Sequence, residues 1–153
     1  MTDKEIKIQE RLRHDRDYVR NKGYEVFGVF LQGSQNYKLD YEGSDIDTKC
    51  IVIPDLDDIV LNKQPVSTTL ILEDNSHIDV KDIRLMWQCF KKQNINFLEI
   101  LFTDYFWVDY KYHAYWYAMI RMNEEIAHYN NYAAVNCIAG MVFEKADELL
   151  KIK

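Results

Sequence analysis

Asp45 and Asp47, separated by Ile46, are the residues of this chain best suited to chemistry. In extended backbone, positions i and i+2 share a face, so the two carboxylates stand side by side with Ile46 behind them. Two adjacent carboxylates repel unless a cation lies between them. Hard oxygen donors suit Mg2+ or Mn2+, and magnesium is commonly held by a few carboxylates together with substrate phosphates. A Gly33-Ser34 pair directly follows the apolar run 26–31, and ten residues separate Ser34 from Asp45. A Gly-Ser turn at a helix start offers free backbone N–H groups to a phosphate, and the Ser34 hydroxyl adds a further donor. Ser34 acting as a plain helix cap would use the same N–H groups. An Asp-x-Asp at a strand start is, taken alone, more often a solvated edge than a metal site.

The elements that must position these residues are readable in outline. Residues 3–22 have a sparse apolar stripe (Ile6, Ile8, Leu12, Tyr18, Val19) among helix-forming charged residues, and Gly23 is a fitting stop. Residues 24–31 read as a buried strand, 34–39 as a short helix, 40–43 as a loop and 45–53 as a second strand closed by Pro54. A helical turn or two is expected over 55–63. The runs 65–72 and 77–80, with 73–76 between them, read as a hairpin. Asp82 should cap a helix through Gln93, with Ile83, Met86, Trp87 and Phe90 at offsets of three, four and seven. Helices are also expected over 96–102, 113–129 and 132–151. The aromatic block 105–117 reads as core packing or a subunit interface before it reads as a base-stacking platform. The fold class is therefore α+β, a small mixed sheet with flanking helices and a helical C-terminal part. It is read as one domain over 1–153, softly divided near 103 into an α/β part (about 24–103) and a helical part (about 110–151).

Composition narrows the function. The chain has 153 residues, 48% of them hydrophobic, enough for a core that buries roughly 70% of the unfolded surface. A net charge of −6 argues against a broad electrostatic footprint for nucleic acid. The three cysteines are odd in number and unpaired in spacing, which fits reduced thiols and a cytoplasmic setting. A polar N-terminus and the lack of a span-length apolar run lead to the expectation of a soluble protein without a membrane partner.

The combination of Gly33-Ser34, the ten-residue gap, and Ser44-Asp45-Ile46-Asp47 between two strands resembles the signature of the DNA polymerase beta-like nucleotidyltransferase superfamily. With Tyr37, the later Ile78-Asp79-Val80-Lys81-Asp82-Ile83-Arg84 and the run 94–102, it is similar to prokaryotic and phage nucleotidyltransferases related to the RNA repair pathway DNA polymerase beta family. The likeness covers about 24–105. Lys38 departs from it, standing where a glycine follows the tyrosine in relatives, and relatives are often longer.

The resemblance implies a metal-dependent transfer of NMP from an NTP to a hydroxyl, with release of pyrophosphate. The acceptor would be an RNA 3′ end, a protein or a small molecule. It implies Asp45, Asp47 and Asp79 as catalytic metal ligands for Mg2+ or Mn2+, with Asp79 also helping to deprotonate the attacking hydroxyl. Nucleotide contacts are expected from Gly33, Ser34, Tyr37, Ser44 and Lys81. Glu99 is expected in a structural helix, and His77 at the surface. The competing reading is a non-catalytic nucleotide-binding or protein-interaction module of the same fold. A homo-oligomer through the aromatic block or the C-terminal helices is a further expectation.

Overall fold

A computed structural model describes residues 1–33, 36 and 45–151. Five strands form one mixed sheet: β1 (Glu25–Gln32), β2 (Asp47–Ile53), β3 (Ser67–Ile71), β4 (His77–Asp82) and β5 (Phe106–Val108), in the spatial order β3-β4-β2-β1-β5. β1 is antiparallel to β2 and β5, β3 is antiparallel to β4, and β2 and β4 run parallel. Together with seven α-helices among the described residues, this is the α+β architecture expected.

Helix α1 (Asp3–Asn21) starts at a capping box: the Thr2 hydroxyl accepts from the Glu5 N–H, and Glu5 accepts from the Thr2 N–H. Its end passes into Gly23 at φ +94°, a conformation that favours glycine. Ile8, Leu12 and Val19 bury one face of α1 against Val29, Leu31, Cys50, Val52, Ile78 and Val80. Ile6, expected on that face, is exposed.

The opposite face of the sheet carries Phe30 and Ile51 beneath Met86, Phe90, Phe97 and Trp116. A register shift between Val26 and Gly28 breaks the strand alternation, so that Phe27 and Phe30, three residues apart, both face the Trp116 side while Val26 and Val29 both face α1. At Gly28 an added Cβ would come 2.9 Å from the Phe30 ring and 3.0 Å from the Trp107 carbonyl oxygen, so the glycine lets β5 close on β1.

The connections explain the remaining differences from expectation. Asp55 caps α2 (Leu56–Val60). Arg84 ties that region to β4 by donating to the Asp82 carboxylate and the Lys63 carbonyl. The helix expected over 82–93 is a 3-10 turn (Ile83–Leu85) followed by α3 (Met86–Lys91), and it ends before Gln93 at φ +53°. Next come α4 (Ile95–Leu98) and a 3-10 turn (Glu99–Leu101). β5, unforeseen as a strand, lies beyond the soft division at 103 yet pairs with β1. The helix expected over 113–129 breaks at Met122 into α5 (His113–Arg121) and α6 (Asn123–Ala127). α7 (Asn131–Lys151) closes the described chain with none of its residues buried. No described helix is long and apolar enough to cross a membrane.

Candidate functional site

Strand β1 ends opposite the start of β2, with Gln32 paired to Asp47. Gly33 follows at φ +83° with open space around its α-carbon, so backbone conformation rather than crowding calls for glycine. Its N–H donates to Glu99 Oε1 at 3.2 Å, which draws the 3-10 turn after α4 to the end of the strand. Asn36 donates to the Leu31 carbonyl at 2.8 Å and accepts from the Thr103 hydroxyl at 2.6 Å.

The sheet alternation sorts the acidic residues. Ile46 packs with the α1-side cluster, as expected of the residue behind two carboxylates. Asp47 leads the opposite series, Asp47, Lys49, Ile51, with Ile51 in the core beneath α3. In the parallel β2–β4 pair Lys49 stands opposite Asp79, while Thr48 stands opposite Ile78. Asp47 and Asp79 therefore share one face at the same end of the sheet. The His77 N–H donates to Asp47 Oδ1 at 2.9 Å and fixes the start of β2 against the start of β4. Asp45, exposed, precedes β2, which begins two residues later than the strand expected from 45.

Asp79 lies between two ammonium groups, with Oδ2 3.5 Å from Lys49 Nζ and Oδ1 3.3 Å from Lys81 Nζ. Lys81 also donates to the Ser67 hydroxyl at 2.6 Å. Lys49 is only 2% exposed. It donates to the Asn96 carbonyl at 2.6 Å and lies 4.6 Å from the centre of the Phe97 ring. Burial pushes its pKa below the usual lysine range, and the charges of Asp79 and Glu99 oppose that shift. A line of polar groups thus runs from the Gly33 N–H through Glu99, Lys49 and Asp79 to Lys81.

From the other side, the Thr48 hydroxyl, one residue after Asp47, donates to Asp15 Oδ2 at 2.6 Å. The fully buried Asp15 also accepts from Arg11 Nε at 2.7 Å to each oxygen and lies 2.9 Å from His14 Nδ1. Arg11 Nη1 donates to the Ser76 hydroxyl at 2.6 Å. Helix α1 therefore braces both β2 beside Asp47 and the turn that leads into His77.

Of the residues expected at the site, Gly33, Asp45, Asp47, Asp79 and Lys81 are described; Ser34, Tyr37 and Ser44 lie outside the described residues, as do the short helix expected at 34–39, save Asn36, and the loop at 40–43. Among the described residues no three His, Cys, Asp or Glu side chains form a group that could hold a metal ion. Lys49 and the contact of Glu99 with Gly33 were not anticipated. Lys49 had a readable signal, since in the β2 run it falls on the face of both Asp47 and buried Ile51. The aromatic block divides: Trp116 is fully buried, Phe106 stacks with Phe30, and Trp107 lies under the guanidinium groups of Arg16 and Arg20 at 4.9 and 5.0 Å. Searched against models of known protein families and against curated proteins, the sequence finds no match in either.

Proposed function

We propose that this end of the sheet binds a metal–nucleotide complex and that the protein is a nucleotidyltransferase of the DNA polymerase beta-like kind. The observation that carries the reading is the placement of Asp47 and Asp79 on one face of adjacent parallel strands, beside the strand end where Gly33 takes φ +83°. Asp45, Asp47 and Asp79 do not stand together as a three-ligand group in the structure, but each is a hard-oxygen donor of the kind that suits Mg2+ or Mn2+. Such ions, when bound, would offset phosphate charge and lower the pKa of an attacking hydroxyl.

In this reading the turn at Gly33 and Ser34 receives the triphosphate, and Tyr37, Ser44 and Lys81 add nucleotide contacts. The Lys81 side chain, a quarter exposed, brings its ammonium beside Asp79 from the more open side. Asp79 takes the proton of the acceptor hydroxyl. The new bond joins the acceptor oxygen to the α-phosphorus, the α–β phosphoanhydride bond breaks, and pyrophosphate leaves. The acceptor is an RNA 3′ end, a protein side chain or a small molecule; the acidic total charge favours the last two.

A second reading, a nucleotide-binding module without turnover, draws support from the two lysines that already occupy Asp79. Incubation with each α-labelled NTP and Mg2+ or Mn2+ separates them. Label on the protein, on added RNA or on a small molecule is the expected result. Metal-dependent nucleotide binding with no label transferred would favour the second reading, and neither binding nor transfer would sink both.

A further inference from the structure

Lysine is almost never fully buried unless it is paired. Lys49 stands between apolar neighbours, with Phe97 beneath its ammonium and Ile51 next on its strand face, where an aliphatic side chain would pack at no electrostatic cost. Its ammonium instead faces Asp79 at 3.5 Å and the Asn96 carbonyl at 2.6 Å. Lys81 approaches the other oxygen of Asp79 from the more open side. The third carboxylate of the candidate site thus comes with two positive charges already in place, one of them built into the core.

We propose that Lys49 is a positioning residue that keeps Asp79 from binding a free divalent cation, so that a cation reaches Asp79 only as part of a metal–nucleotide complex. This rests on the reading of the sheet end as a metal–nucleotide site. The physical cause is local charge. Asp79 carries one negative charge and faces two ammonium groups, so a lone Mn2+ meets no net attraction at that carboxylate. An incoming triphosphate brings its own negative charge and restores the attraction. The Glu99 contact to the Gly33 N–H ties the same group of charges to the turn where phosphate would arrive.

The test measures Mn2+ binding, by the electron paramagnetic resonance of the free ion, to the parent chain and to Lys49→Met and Lys49→Arg. Each is titrated without nucleotide and with a non-hydrolysable NTP analogue. Lys49→Met, which keeps the stem and removes the charge, should bind Mn2+ alone at least about threefold more tightly than the parent. Lys49→Arg, which keeps the charge, should stay within about twofold of the parent. A smaller gain or a loss in Lys49→Met, or an equal gain in Lys49→Arg, overturns the proposal, as does a lack of Mn2+ binding by parent and Lys49→Met alike. A purely structural lysine would not tighten metal binding when removed. Should Lys49→Met fail to fold, Lys49→Gln is judged by the same threshold. The underlying reading is tested separately with Asp47→Asn: if Mn2+–analogue binding survives that change undiminished, the site assignment fails, while the ratio between Lys49→Met and parent still judges the role of Lys49.

Discussion

Asp15 and Asp79 address the same sheet from opposite faces, and they meet positive charge in different ways. Asp15 is fully buried on the α1 side, where both oxygens accept from Arg11 and the group also engages Thr48 and His14. Asp79 keeps 19% of its side chain exposed and is approached by two ammonium groups at 3.3 and 3.5 Å, beyond the length of a good charged hydrogen bond. A carboxylate enclosed by short hydrogen bonds has no lone pair left for a ligand, and its work is to hold α1 on β2. A partly exposed carboxylate with longer contacts to two ammonium groups near the strand start can exchange partners. The difference separates the brace of the site from its reactive part.

The largest expected effect falls on the brace. Asp15→Ala takes the paired carboxylate from the largely enclosed Arg11 guanidinium, leaving it Ser76 and Asp74, and should cost about 3 kcal/mol in urea unfolding. Asp79→Asn should cost less, about 1–2 kcal/mol, because Lys49 keeps the Asn96 carbonyl and an amide oxygen still faces it. Equal losses in the two variants would erase the distinction and make Asp79 structural as well. Thr48→Val, which removes one of the Asp15 donors while preserving shape, should cost about 1 kcal/mol by the same measurement.

The smallest effect is kinetic. Burial, then the nearby charge of Asp15, pushes the Cys50 thiol well above its ordinary pKa, so little thiolate exists at neutral pH. A thiol reagent should leave Cys50 unmodified in the native parent and label it in Asp15→Ala at a rate that follows unfolding. Prompt native labelling would mean that the α1 layer is looser than the contacts of Asp15 imply.

Much of this architecture was legible in residue pattern, and the exceptions have physical causes. The sparse apolar stripe of α1, the stop at Gly23 and the alternation through β2 and β4 are local signals, and the elements follow them closely. β5 was hidden because three residues are too few to show a period, and Phe106, Trp107 and Val108 read equally well as aromatic packing. The break at Met122 and the 3-10 turn after Asp82 arise where tertiary packing overrides a continuous helical pattern. At the site, the shared face of Asp47 and Asp79 follows from period-two alternation once the two strands run parallel. The ammonium of Lys49 was legible only in part, since its strand face was readable but its depth depends on α4 folding over it. Glu99 meets Gly33 across sixty-six positions of sequence, a contact no local pattern encodes.

The central claim is that Asp47 acts in chemistry where Asp15 acts in support. Its most direct test compares folded Asp47→Asn with the parent in metal-dependent transfer of label from an α-labelled NTP. The account predicts a loss of at least about 100-fold in rate at nearly parental stability. Transfer at the parental rate by the folded variant would contradict it.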